Sequence, residues 1–174
     1  MAGWILGIDF GTTTTTAATA NGRLDVVTID GSPRVPSTVV VDDDGALFAG
    51  VAAEREATVA PERAERTPKR RLGDRLILLG DHAIAPVDAV AAVLRFVVDE
   101  ATRRHGGEPP SEVRLTHPVT WAQARLDLLR DAAARAGLPS VELIAEPIAA
   151  ATQLSDGRIA DGEHVAVYDL GGGT

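Results

Sequence analysis

Apolar and polar positions fall into short alternating runs in the first third of the chain and into strand–helix units in the last third. Residues 4–10 are an apolar run read as a buried strand, with Asp9 near its end. Residues 13–20 alternate as a second strand, Asn21-Gly22 is a two-residue hairpin signal, and residues 24–29 make a third strand. The opening unit is thus an antiparallel meander built around the Asp9–Gly11 turn. Gly31-Ser32-Pro33-Arg34-Val35-Pro36 is a loop held extended by its two prolines. Residues 38–41 and 46–49 form another hairpin, across Asp42-Asp43-Asp44-Gly45. That acidic cluster lacks the alternate spacing and terminal glutamate of a calcium loop, so it reads as an exposed turn.

Residues 51–59 are a short helix, and the mixed-charge segment 62–74 reads locally as solvated surface. A longer helix starts at Asp88 or its neighbour, with Val90, Val93, Leu94, Val97, Val98 and Ala101 on one face, and His105-Gly106-Gly107 stops it. Residues 113–116 are a strand ended by Pro118. Thr120 then caps a helix through Ala136, whose buried stripe is Leu126, Leu129, Ala133 and Ala136. Asp131 and Arg135 form an i,i+4 pair on its exposed side. Residues 141–144 are a strand, Glu146-Pro147 opens a third helix through Gln153, and residues 165–169 are the closing strand. Meander at the front and strand–helix alternation at the back predict one mixed sheet with helices packed on it.

Composition narrows the class. The 174 residues are 45% apolar but only 3% aromatic, so the core is Val, Leu, Ile and Ala. That length supports one good core or two small subdomains. A net charge of −8 opposes general binding to nucleic acid or an anionic membrane, which needs a basic face. Cysteine is absent, which excludes disulfides and thiolate chemistry and allows a reducing compartment. The N-terminus lacks the charge and apolar core of a signal peptide, and no run approaches the roughly 18–20 apolar residues of a membrane span. The expectation is a soluble, cytoplasmic α/β protein.

The chemistry concentrates at two turns. Asp9 is followed by Phe10-Gly11 and then by five threonines, Thr12-Thr13-Thr14-Thr15-Thr16. A carboxylate at a strand end holds a metal or its waters, and glycine with threonine offers N–H and hydroxyl donors to phosphate. Taken alone, the stretch also reads as a plain hairpin rich in β-branched residues. Near the other end, Val165-Ala166-Val167-Tyr168-Asp169-Leu170-Gly171 repeats the pattern: an apolar strand, Asp, one apolar residue, Gly. Adjacent or facing, the two strands bring two carboxylates and two glycine turns to one point, which suits hydrated magnesium and a nucleotide's phosphates. Gly171-Gly172-Gly173 alone reads as a tail; paired with the first turn it reads as a second phosphate loop. There is no Gly-x-x-x-x-Gly-Lys-Ser/Thr, and no Gly-x-Gly-x-x-Gly follows the first strand, which disfavours P-loop and dinucleotide folds.

Gly7-Ile8-Asp9-Phe10-Gly11-Thr12-Thr13, Ala145-Glu146-Pro147-Ile148-Ala149-Ala150-Ala151 and Tyr168-Asp169-Leu170-Gly171-Gly172-Gly173-Thr174 occur in this order. They resemble the first phosphate, first connecting and second phosphate motifs of the actin-like ATPases. Within that superfamily the chain is most similar to the DnaK-like seventy-kilodalton heat-shock chaperones. The resemblance extends to Val35-Pro36-Ser37, Gly50-Val51-Ala52-Ala53, Lys69-Arg70-Arg71-Leu72-Gly73 and Pro118 before a helix bearing Arg125. It implies an actin-like, ribonuclease H-like α/β lobe: a mixed five-stranded sheet with flanking helices and a small inserted subdomain. Residues 1–37 and 113–174 would be the core subdomain and 38–112 a shortened insert, with the second lobe and the substrate-binding domain outside this chain. It further implies ATP or ADP with magnesium. Asp9 and Asp169 would bind the magnesium waters, and Gly11, Thr12, Thr13, Gly171, Gly172, Gly173 and Thr174 would face the phosphates. Glu146 would order a magnesium-bound or attacking water. Lys69 would position that water and stabilise charge on the transferred group, which replaces the local reading of Lys69 as surface. Phosphoryl transfer is mostly positioning and electrostatics, so this set suffices in kind.

The chain departs from the pattern in three places. Ala145 stands where the family usually has Asn. The insert is short, so exchange-factor contacts need not carry over. The family continues past the position of Thr174 into a lobe that holds the adenosine, so lobe one alone is expected to bind nucleotide weakly and to hydrolyse it slowly or not at all. Implied partners are nucleotide, the second lobe, a C-terminal effector or substrate domain, and cochaperones. Two rivals stay open: a regulatory or interaction module without turnover, and a sugar or acetate kinase of the same superfamily.

Overall fold

The first strand, β1 (Ile5–Phe10), alternates so that Leu6, Ile8 and Phe10 share one face, and all three are fully buried. Gly7 and Asp9 take the opposite face because successive side chains in a strand point to opposite sides. The computed structural model that shows this describes residues 3–138, 140–154, 162 and 164–168. β2 (Thr14–Ala20) returns antiparallel to β1, with Asp9 opposite Thr16. β3 (Leu24–Val26) and β4 (Val35–Pro36) both pair with β2.

A small three-stranded sheet follows: β5 (Val39–Val41), β6 (Leu47–Ala49) and, after α1 (Val51–Val59) and a 3-10 turn at Pro61–Arg63, β7 (Ala64–Glu65). The one-turn helix α2 (Pro68–Arg71) precedes the hairpin of β8 (Ile77–Leu79) and β9 (His82–Ile84). Helix α3 (Pro86–Arg104) leads to β10 (Glu112–His117), α4 (Gln123–Arg135), β11 (Glu142–Ala145) and α5 (Glu146–Leu154). The large sheet has the order β11-β10-β1-β2-β3, with β4 beside β3 on β2. β10 and β11 run parallel to β1, and β2 runs against it, so the sheet is mixed.

The core lies between this sheet and the pair α3–α4. Val90, Val93, Leu94, Val97, Val98 and Ala101 recur at helical spacing on α3, and all are buried with Leu6, Ile8, Phe10 and Leu115. Leu129, Ala132 and Ala133 of α4 join the same cluster. α3 lies within residues 38–112 yet packs on the large sheet, while the segment between β5 and β9 has small clusters of its own. Gly50 shows how closely α3 approaches the small sheet. It has φ 88°, and a Cβ there would lie 2.5 Å from the Phe96 ring. On the solvent side, Arg135 bonds Asp131 on its own helix and Asp88 on α3. Those two carboxylates hold its guanidinium even further above neutrality than usual, Asp131 first.

Several boundaries differ from the sequence-based expectation. The Asn21-Gly22 turn has three residues rather than two, because Ala20 pairs with Leu24. The third strand stops at Val26 instead of reaching Ile29. Val27 and Ile29 turn into the core, and the chain then reverses through Asp30 and Gly31, both at positive φ. Val35 and Pro36, expected in a loop, pair with Thr15 and Thr14; a proline fits at such a short outer strand. Asp88 is not a cap: Ala85 is extended, Pro86 takes the first helical position, and Asp88 sits in the first turn. Thr120 does not cap α4 either, since a Pro118–Trp121 turn comes first and the helix starts at Gln123. Leu126 is only half-buried there. The β8–β9 hairpin was not expected, nor was β7 inside the charged segment. Of the strand expected at 165–169, residues 165–168 carry no strand pairing, and Asp169 lies outside the described residues.

Candidate functional site

The Asp9–Gly11 turn is tight for a steric reason. A Cβ on Gly11 would lie 2.2 Å from the carbonyl oxygen of Thr14, a distance no side chain tolerates. Thr12 and Thr13 occupy the turn itself, half-buried. Ser37 braces it from below: its N–H donates to Thr13 O (2.9 Å), its hydroxyl donates to Gly11 O (3.1 Å), and Thr15 Oγ1 lies 2.9 Å from Ser37 Oγ. Ser37 and Thr15 are both fully buried, so these bonds have no water to replace them. Ser37→Ala is expected to cost about 1–3 kcal/mol, because it orphans the Thr15 hydroxyl. The Ser37→Ala, Thr15→Val double variant should lose less than the sum of the single losses, measured by denaturant unfolding. Simple additivity would show that the two hydroxyls do not interact.

Asp9 projects from the other face of β1 and is exposed. The neighbouring parallel strand β10 brings Thr116 alongside, and Thr116 Oγ1 donates to Asp9 Oδ1 at 2.7 Å. This fixes one oxygen of an otherwise exposed carboxylate.

Lys69 arrives from α2. Its side chain is 7% exposed, and Nζ donates to the carbonyl of Phe10 and to Glu146 Oε1, the latter at 2.6 Å. Glu146 is the first residue of α5, where the helix dipole favours a carboxylate. The ammonium also lies 5.6 Å from the Phe10 ring centroid and 5.9 Å from that of Trp121. Two of its three N–H donors are engaged, leaving one for a further acceptor. A buried charge with a partner, two aromatic walls and a spare donor is far from a solvated surface residue.

A family model described as Hsp70 protein matches residues 75–174, more than half of the chain. The chain belongs to the Hsp70 family. Chaperone protein DnaK of Thermotoga maritima and that of Thermotoga petrophila are each 33% identical over 175 aligned residues, covering 98% of this chain and 29% of the relative. DnaK of Thermotoga neapolitana is 32% identical over the same span. The chain therefore spans about 29% of the length of these Hsp70 relatives. The family carries the actin-like ATPase fold, and the mixed sheet with helices described above accords with it.

Within this Hsp70 chain, one end of β1 gathers Asp9 from the strand, Gly11, Thr12 and Thr13 from the turn after it, Lys69 from α2 and Glu146 from α5. Asp169, Gly171, Gly172, Gly173 and Thr174 lie outside the described residues. Ala145 ends β11 opposite His117, just before Glu146. Two residues escaped the sequence reading of the site. Thr116 orients Asp9, and Trp121 walls Lys69; neither belongs to a motif that spacing could expose. One signal was available: Lys69 is the only lysine among 17 basic residues. A chain that uses arginine for every other cation places its lysine where a compact ammonium is needed.

Proposed function

We propose that this chain supplies the phosphate-binding half of a magnesium-dependent ATP site in a DnaK-like chaperone. In this reading residues 1–37 and 113–174 are the core subdomain and 38–112 the insert, whose helix α3 packs on the core sheet. The observation that carries it is Lys69 Nζ bound at once to Phe10 O and Glu146 Oε1 beside the Gly11 turn. The donor set fits the group. Asp9 offers one free carboxylate oxygen, suited to a magnesium-bound water, and the turn offers a close backbone approach to phosphate oxygens. Magnesium, when bound, neutralises charge on the phosphates. Lys69 directs its spare N–H toward the transferred phosphoryl oxygens, and Glu146 holds that lysine and a water. Gly171, Gly172, Gly173, Thr174 and Asp169 would close the site from the second turn. Nucleotide-gated control of an attached domain, with cochaperones as partners, is the biological role.

ATP turnover by the full-length gene product in magnesium buffer tests this; a protein that hydrolyses no ATP sinks the enzymatic reading. A second reading rests on Ala145, which removes a polar group usual at that position: a nucleotide-responsive module without turnover. Binding of ATP with no hydrolysis would select it. Formation of a sugar phosphate or acetyl phosphate would instead select the kinase branch. Residues 1–174 alone are expected to hold nucleotide weakly. In about millimolar magnesium–ATP, which only half-fills a site with a dissociation constant of that order, the melting temperature should rise by only about 1–2 °C. A shift several times larger would show that one lobe suffices.

A further inference from the structure

Trp121 lies outside every motif that points to the nucleotide, yet it touches the machinery. Its indole is half-buried against the core at the entrance to α4. Lys69 Nζ lies 5.9 Å from its ring centroid and the Arg125 guanidinium 5.8 Å from it. Arg125 in turn lies against the backbone of Gly73, just after α2; a Cβ on Gly73 would be 3.2 Å from Arg125 Nε and Nη2. The contacts close a ring: α2 carries Lys69 to the indole, the indole meets Arg125, and Arg125 returns to the segment that carries Lys69. Tryptophan is the best aromatic partner for a cation, and the interaction strengthens when the cation is desolvated, as Lys69 is.

We propose that Trp121 is a positioning residue for Lys69: the indole walls the ammonium into its place between Phe10 O and Glu146 and shields it from water. This rests on the ATP-site reading for its catalytic consequence but not for its structural one. A small flexible residue there would let the lysine swing and hydrate. The lysine's solitude makes this measurable, because amine acylation within residues 2–174 can occur only at Lys69.

The test compares wild type, Trp121→Phe and Trp121→Leu in the full-length gene product. Acylation of Lys69 by an N-hydroxysuccinimide ester is followed by peptide mass, alongside steady-state hydrolysis of magnesium–ATP. Trp121→Leu should label Lys69 about threefold to thirtyfold faster, the range set by one desolvated cation–aromatic contact. Its kcat should fall by a similar factor with little change in the KM for ATP. Trp121→Phe should stay within about threefold of wild type in both. If Trp121→Leu loses its cooperative melting transition, Trp121→Met takes its place. Equal labelling in all variants overturns the proposal, as does a Phe variant that behaves like Leu. A fall in kcat without faster labelling overturns it too, since Trp121 would then act elsewhere. A wild type that hydrolyses no ATP removes the ATPase reading alone, and labelling then decides the positioning role.

Discussion

Lys69→Ala in the full-length gene product is expected to lower kcat for magnesium–ATP by about 10²–10³ while the KM changes little. That is the loss typical when one preorganised donor to developing charge is removed. The lysine is nearly desolvated and already bonded to Phe10 O and Glu146, so no other cation replaces it without moving backbone. Lys69→Arg should restore little. A planar guanidinium needs a wider slot than one bounded by the Phe10 and Trp121 rings, and it aims its donors as a fixed fork. Sixteen of the chain's 17 basic residues are arginine, so a functional Lys69→Arg variant would show that lysine at 69 carries no special role. Stability moves as well: alanine leaves Glu146, 24% exposed, without its cation. Glu146 keeps access to water, so that cost stays below the several kcal/mol of a fully buried orphaned charge.

Gly11→Ala is expected to destabilise the chain by roughly 2–4 kcal/mol and lower its melting point by on the order of 10 °C. The obstacle is backbone, not a side chain that can rotate aside: the added Cβ would meet Thr14 O at 2.2 Å. The strain must open the turn, break its contacts with Ser37, and draw Thr12 and Thr13 from their positions. Scanning calorimetry of residues 1–174 reads the first effect, and nucleotide affinity of the full-length protein reads the second. A melting point within about 2 °C of wild type would refute the close packing on which the turn depends.

How much of this was legible before the fold was seen varies with the distance over which a residue's environment is set. The period-two run of β1, the helix α1 and the buried stripe of α3 depend on local apolar spacing, and each was readable. Helix starts were not. Asp88 and Thr120 have the chemistry of caps, but Pro86 began one helix earlier and the Pro118–Trp121 turn delayed the other. Lys69 is the sharpest case. Its neighbours in sequence are charged, and a local window assigns it to the surface. Its neighbours in space are Phe10, 59 positions away, and Glu146, 77 positions away. Resemblance to a family picked it out, whereas periodicity could not. Thr116 and Trp121 had neither kind of signal.

The pairing of β1 with β10 also sets a clock on synthesis. Asp9 waits for Thr116, which leaves the ribosome 107 residues later. At about 5–20 residues per second that is roughly 5–20 s during which the antiparallel β1–β2 hairpin has one long apolar edge without its neighbour. Leu6, Ile8 and Phe10 have no helix over them until α3 emerges. A nascent chain of this design therefore spends its first seconds as a client for whatever holds exposed strands in the cell. Slowing translation upstream of the codons for β10 should lower the soluble yield more than slowing it downstream.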